Sequence, residues 1–279
     1  MKVCKKEHKA YLRKEFKMSN KIFTEFLQVQ CSYFQKHQTP LKFSKAENNK
    51  AAVIIEPRKH PLLEAVIRNI MFHLGDGWNL HIWSHPSRRD WISTLLPKWE
   101  FQFHNIPFEN MNQTLYNGYL LDSYFWHSFT EEHILVFQTD CIMFHPFDAE
   151  FLKYDYTGAN YYNPTNVSKR IGGIQGGFSL RKKAAMIRCL REFQWNMIDR
   201  VVGDKHEDVF FTHACDILNC HVPKINDRKF FAIEAEWFER PMAHHGFHHR
   251  YFTEDQARAI IDQSLMNQLM SCKHTASCP

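Results

Sequence analysis

The sequence predicts an α/β fold: a central, mostly parallel sheet flanked by helices, with a helical arm at its N-terminal side. Two observations carry this. Short, wholly apolar runs such as residues 51–55 (AAVII) and 134–137 (ILVF) alternate with segments whose apolar residues recur at helical spacing. Strands that read as continuous apolar runs are buried on both faces, the mark of a parallel sheet covered by helices. Two of these runs also end on residues that carry chemistry, Glu56-Pro57-Arg58 and Thr139-Asp140. In such sheets ligands bind outside the carboxyl ends of the strands.

Residues 10–37 place Leu12, Phe16, Phe23, Phe26, Leu27, Tyr33 and Phe34 among lysines at roughly helical spacing, with Ser19-Asn20 as a break. This is the expected arm, and a polar linker, 44–50, follows it. The first strand, 51–55, is closed by Glu56-Pro57-Arg58. Helical spacing over 62–74 stops at Gly75-Asp76-Gly77. Residues 79–84 read as the second strand, 90–96 as a short helix, 99–104 as the third strand, 116–125 as a helix and 134–137 as a buried strand. Beyond Asp155 the pattern changes. Residues 156–161 lead through a polar loop into Gly172-Gly173-Ile174-Gln175-Gly176-Gly177-Phe178-Ser179-Leu180-Arg181. Residues 182–195 are helical, His206-Glu207-Asp208 opens another helix, and 230–236 suggest a strand. After a histidine cluster (His244, His245, His248, His249), 253–269 form a closing helix with Thr253 and Gln256 in capping-box positions. The expected organisation is a basic arm and linker over 1–49, one main domain over 50–270 and a tail over 271–279.

The chain has 279 residues, 44% hydrophobic, 23% charged and 15% aromatic, a globular composition long enough to bury a core without staples. The net charge of +5 is uneven: residues 1–50 carry twelve Lys/Arg against four Asp/Glu, so the remainder is mildly acidic. An acidic body is a poor surface for nucleic acid, which needs clustered cations. The basic arm suits a membrane surface, self-association or a plain solvated face. No apolar run reaches the roughly 20 residues of a membrane span, and the first nine residues lack a signal-peptide pattern. The eight cysteines form no CxxC pair. Together these point to a reducing, cytoplasmic setting.

Several residues invite a chemical reading beside a structural one. Asp140 ends an apolar strand and either caps the next turn or faces a cleft to bind a divalent cation or a sugar hydroxyl. Glu207 and Asp208 open a helix, where they compensate its dipole or supply a general base. The histidine cluster, with Cys215, Cys220 and His221, offers a zinc site or one ligand of a catalytic metal. The glycine run lacks the pattern of a phosphate loop and instead lets backbone approach a ligand or another segment. Trp126, Tyr161, Tyr162, Trp195 and Trp237 are candidates for stacking on a sugar, though most aromatics build core.

Taken in order, Val53-Ile54-Ile55-Glu56-Pro57-Arg58-Lys59-His60-Pro61, Phe137-Gln138-Thr139-Asp140, Tyr154-Asp155-Tyr156-Thr157-Gly158-Ala159, Gly176-Gly177-Phe178-Ser179-Leu180-Arg181 and Glu207-Asp208-Val209-Phe210-Phe211 resemble the DUF5672 family over about residues 50–250. That family in turn resembles the GT-A-fold nucleotide-sugar transferases. The resemblance implies a glycosyltransferase moving a sugar from a nucleotide-sugar donor, UDP-linked by analogy, to a hydroxyl acceptor such as a glycan. It implies Glu56 and Arg58 beside the base and ribose, with Gln138, Gly176 and Gly177 also on the donor. The metal-binding DxD motif of GT-A enzymes is reduced here to Thr139-Asp140-Cys141. Either Asp140 holds Mn²⁺ or Mg²⁺ with a late histidine, or Lys/Arg cations such as Arg170 and Arg181 replace the metal. Pro241-Met242-Ala243-His244-His245 resembles the family's Pro-Phe-Gly-x-His segment and so picks out His245. Gln175 stands where family members often carry Asn. The implied reaction is inverting transfer with Asp208, or Glu207, as the base. Two other classes stand beside it: an inactive glycan- or nucleotide-binding module on the same fold, and a zinc-stabilised interaction protein using the His/Cys-rich last third.

Overall fold

Strand β1 (Lys50–Ile55) sits at the centre of the sheet because none of its side chains from Ala51 to Ile55 needs water: all are buried. Successive strand residues point to opposite faces, and both faces of β1 are apolar. Ala52 and Ile54 join one core, while Ala51, Val53 and Ile55 join another on the opposite face. The computed structural model describes residues 21–44, 48–161, 163–197, 206–247 and 252–262.

β1 pairs in parallel with β2 (Asn79–Ser84) on one side and β4 (His133–Phe137) on the other, and β2 pairs in parallel with β3 (Gln102–Asn105). β7 (Ile174–Lys182) runs antiparallel between β4 and β6 (Tyr156–Asn160). The order is β3-β2-β1-β4-β7-β6, the expected mostly parallel sheet with one reversed strand. The chain builds outward from β1 through β2 and β3, then returns to β1's other side as β4. That reversal opens a crevice at the carboxyl ends of β1 and β4. A small second sheet, β5 (Cys141–Met143), β9 (Ala243–His245) and β8 (Ala232–Ile233), lies just beyond β4 in the order β5-β9-β8.

Helix α1 (residues 21–37) and α2 (Leu63–Leu74) cover one face. The basic N-terminal region was expected to lie outside the regular body, yet its described helical part is built into the core. Phe23, Phe26, Leu27 and Phe34 are buried there, and Asn69 of α2 donates both to Gln30 of α1 (2.9 Å) and to the Met143 carbonyl (2.9 Å). A helix with one apolar stripe must bury it, and the lysines on its other face do not change that.

α3 (Arg89–Leu95) covers the β3 edge. The helix expected over 116–125 is two, α4 (Gln113–Leu120) and α5 (Ser123–His127), because Asp122 caps the second by accepting from the Tyr124 N–H at 2.9 Å. With α6 (Lys183–Glu192) and α7 (Glu207–Ile217) they enclose the opposite face. Of the strand expected at 230–236 only Ala232 and Ile233 are strand, β8; Phe230 and Phe231 end a helical turn, α8 (Arg228–Phe231), and 234–236 form a bend. The final helix, α9 (residues 254–262), has the capping box: the Gln256 N–H donates to Thr253 Oγ1 (3.3 Å) and the Thr253 N–H to Gln256 Oε1 (3.0 Å). Among the described residues no helix is long and apolar enough to cross a membrane.

Candidate active site

A cavity of about 610 Å³ opens at the crevice between β1 and β4. Its walls include Glu56 and Arg58 after β1, Gln138 and Asp140 after β4, Gly177 of β7, Glu207 and Asp208 of α7, and His245 of β9. Residues 189 positions apart in sequence thus converge because the strand ends and the N-terminus of α7 all face one side of the sheet.

Asp140 and His245 meet across the junction of the two sheets, where β5 and β9 pair Cys141 with His245. His245 Nε2 lies 3.9 Å from Asp140 Oδ1 and 3.3 Å from Gln138 Oε1. Its other nitrogen, Nδ1, is 3.3 Å from Glu234 Oε2. Burial works against a charge on this ring, but the Glu234 hydrogen bond and the charges of Glu234, Asp140 and Asp208 outweigh it and raise the pKa to about 9. Two atoms that each bind an ion at about 2.0–2.2 Å cannot lie more than about 4.4 Å apart, so Asp140 and His245 are within reach of one divalent cation. A carboxylate on the distal imidazole nitrogen is the usual partner of a metal-ligating histidine, and the pair therefore fits a metal. Cys141 Sγ lies within 4.8 Å of both but is engaged: its thiol donates to the Gly177 carbonyl (3.2 Å), and burial pushes its pKa well above the ordinary value.

Asp208 is buried at the N-terminus of α7. Its Oδ2 accepts from the Gly176 N–H (3.2 Å), its Oδ1 from its neighbour Val209 N–H (2.8 Å), and the Tyr161 hydroxyl also donates to it. Burial, reinforced by the adjacent Glu207 charge, raises its pKa to about 6. Glu207 is occupied. The buried Arg181 guanidinium holds both of its oxygens, at 2.7 and 3.1 Å, and stacks among Tyr156, Phe211 and Trp126. Arg181 is therefore not a cation for a ligand phosphate, and Arg170 is bound to Asp216 instead.

The two glycines have distinct reasons. A Cβ on Gly176 would stand 2.1 Å from Glu207 Oε1, and one on Gly177 would stand 1.9 Å from His245 Nε2. Their hydrogens let the acids of α7 and the imidazole of β9 close down onto β7; of the two, only Gly177 lines the cavity. After β1, Arg58 folds back on Glu56 with two 2.7 Å bonds (Nε to Oε1, Nη2 to Oε2), leaving the guanidinium half exposed over the cavity. The described lining carries five carboxylates and one arginine.

Of the aromatic candidates, Tyr161 lines the cavity, but as a donor to Asp208. Trp126 is fully buried and gives its N–H to the Leu120 carbonyl (2.8 Å), Trp195 packs on Phe193 and Phe210, and Trp237 stands outside the cavity; Tyr162 lies outside the described residues. The two described histidines of the cluster, His244 and His245, do not converge on one site. As strand neighbours, His245 faces the cavity while His244 packs on Phe23 and Phe252. The His221 ring lies against the Lys153 carbonyl, 3.2 Å away, and His248 and His249 lie outside the described residues. Sequence reasoning missed Glu234, whose signal was an acid directly after the apolar run 230–233: a carboxylate buried there needs a partner.

A family model described as "Protein of unknown function (DUF5672)" matches residues 99–245, just over half of the chain, ending on His245. No curated protein matches the chain. Among solved structures, mouse xyloside xylosyltransferase 1 in its apo form aligns over 71% of this chain and 97% of its own length, with a TM-score of 0.51 at 12% identity. The apo-form glycosyltransferase GlyE of Streptococcus pneumoniae TIGR4 aligns over 80% of this chain and 64% of its own, with a TM-score of 0.45 at 11% identity. The likeness to the mouse structure is one of fold, and the fold is GT-A-like.

Proposed function

The chain belongs to the DUF5672 family, and we propose that it is a nucleotide-sugar-dependent glycosyltransferase acting on a hydroxyl acceptor. The observation that carries the reading is the meeting, in one cavity, of a metal-competent pair, Asp140 and His245, with a buried carboxylate of raised pKa, Asp208. A carboxyl whose pKa is lifted toward neutrality is suited to take a proton from a substrate hydroxyl.

Asp208 accepts the acceptor's hydroxyl proton as that oxygen bonds to the anomeric carbon. The bond from that carbon to the diphosphate breaks, and its electron pair leaves on the nucleoside diphosphate. Direct displacement of this kind inverts the anomeric centre. The Gly176 and Val209 N–H groups and the Tyr161 hydroxyl fix the Asp208 carboxylate in place, while Glu207, bound to Arg181, serves to hold α7 rather than to move protons. Glu56 and Arg58 are assigned to the nucleoside and Gln138 to the donor beside His245. Gly176 and Gly177 make room for the acids and the imidazole. Asp140 and His245 would hold Mn²⁺ or Mg²⁺, which supplies charge neutralisation to the diphosphate. Five carboxylates against one arginine in the lining favour that cation over the alternative of Lys/Arg replacement. UDP is the favoured nucleotide and a glycan the favoured acceptor.

The test is release of nucleoside diphosphate, and of glycosylated product, from a panel of UDP-, GDP- and CMP-linked sugars with Mn²⁺ present. Turnover with one donor class, lost in Asp208→Asn, is the expected result. Tight nucleotide binding without turnover on any donor or acceptor would replace this reading with the binding-module one, which the lone strand-end carboxylate Asp140 favours.

A further inference from the structure

Three cysteines that take no part in the proposed transfer meet at one point two turns along α7 from Asp208. Cys189 comes from α6, Cys215 from α7, and Cys220 from the chain just after α7. The turn that delivers Cys220 is specific. Asn219 adopts a left-handed conformation (φ 53°), and the Cys220 N–H then donates back to the Cys215 carbonyl at 2.9 Å. This folds the third sulfur over the first two. Cys189 Sγ lies 3.9 Å from Cys215 Sγ and 4.0 Å from Cys220 Sγ, and all three sulfurs are buried and lie within 4.8 Å of one another.

That spacing matches what three sulfurs around one metal ion would adopt. Sulfurs each about 2.3 Å from one ion stand about 3.8 Å apart in a tetrahedral arrangement and about 4.0 Å apart in a trigonal one. We propose that Cys189, Cys215 and Cys220 form a binding site for one thiophilic d¹⁰ metal ion, Zn²⁺ or Cu(I). Soft thiolates select these ions and pass over the Mn²⁺ or Mg²⁺ suited to the oxygen-rich cavity, so the two sites do not compete. Among the described residues no histidine or carboxylate completes the group. Cu(I) is content with three sulfurs, whereas Zn²⁺ takes a fourth ligand from solvent on the side of Cys220. The charge is manageable. Three thiolates around Zn²⁺ leave one negative charge; Arg188, whose Nη2 donates to the Leu218 carbonyl at 3.1 Å and whose Nε pairs with Glu192 at 3.0 Å, lies close enough to offset part of it. The thiol protons leave as the metal binds. The ion would tie the end of α7 to α6 and so steady the helix whose first turn carries Asp208.

The test uses the full chain, purified anaerobically, reduced and stripped with a chelator. Titration with Co²⁺ should raise a sulfur-to-cobalt charge-transfer band that saturates at one equivalent and is abolished by added Zn²⁺. Asp140→Ala should leave the band unchanged, which separates this site from the cavity. Cys220→Ser, the change nearest the surface, should weaken Co²⁺ binding at least tenfold. A parallel titration with Cu(I) against a chromophoric chelator distinguishes the ions: uptake of one equivalent with no cobalt band assigns Cu(I). Absence of both the thiolate band and Cys220-dependent Cu(I) uptake in the wild-type chain would overturn the proposal. So would a mass two hydrogens low in the isolated protein, traced to a disulfide among these three. The wild-type titrations need no variant to fold.

Discussion

Asp208 is a carboxylate that the fold holds out of water, next to a second carboxylate, with a pKa raised to about 6. Two consequences of opposite sign follow. As a base it must be ionised, so transfer should rise with pH through about 6 and level off above it. Asp208→Asn should lower the rate about 10²–10⁴-fold while nucleotide binding, followed by calorimetry, is retained; a variant with wild-type turnover would dismiss the base assignment. For stability the sign reverses. A carboxyl whose pKa is raised by folding contributes stability below its unfolded value near 3.8 that is lost as pH rises through about 6. Asp208→Asn carries no charge to bury and should therefore melt higher than wild type at pH 8, an advantage that vanishes by about pH 4. Thermal unfolding at the two pH values measures it, and an unchanged difference would show that the Asp208 charge costs the fold nothing. At this scale the sequence was half legible. It marked Asp140, Asp208 and His245 because charged residues at strand and helix ends are conspicuous. It could not separate Asp208 from Glu207, since neither the Arg181 pairing nor the Gly176 contact is local.

At the level of elements, the N-terminus of α7 is fastened to β7 by Arg181 and Glu207. Both side chains are buried, and the guanidinium is ringed by Tyr156, Phe211 and Trp126. Removing one partner strands a buried charge. Arg181→Met should destabilise the chain by about 3–5 kcal/mol, whereas Arg181→Met combined with Glu207→Leu should recover most of that, because an apolar pair of similar volume needs no compensation. Urea unfolding of wild type, single and double variants decides it; a double variant no more stable than the single would mean that the pair is held for its ring packing rather than its charge. Elements with strong periodicity were read from sequence within about two residues, among them β1, α2, β2 and β4. What escaped depended on distant partners. The strand direction of β7 is set by its pairing with β4 and β6. The break between α4 and α5 rests on one capping carboxylate in a run of helical pattern. The three residues of β9 exist because β5 and β8 flank them, and this sends the side chains of His244 and His245 to opposite faces of a strand.

Across the whole molecule the decisive feature is charge. The chain is cationic, +5 in total, yet its cavity carries five carboxylates and one arginine, and that arginine is already bound to Glu56. A nucleoside diphosphate entering alone would meet like charge in a low-dielectric crevice, where Coulomb terms at contact distance are several-fold larger than in water. Arg170 and Arg181, the arginines considered in place of a metal, are both bound to acids, Asp216 and the cavity's own Glu207. Nucleotide binding should therefore require a divalent cation. Thermal unfolding with UDP, GDP or CMP, each with and without Mn²⁺, gives the measure: a ligand at 100 times its Kd stabilises the folded state by about 2.7 kcal/mol, a shift easily seen. The expected outcome is a rise with one nucleotide only when Mn²⁺ is present, abolished in both Asp140→Ala and His245→Ala. A rise that is indifferent to Mn²⁺ would remove the metal and leave the His245 imidazolium, or a cation from outside the described lining, to face the diphosphate. A Mn²⁺-dependent rise that survives both substitutions would keep the metal but move it off Asp140 and His245, leaving Glu234 and the remaining cavity acids as the groups to vary next.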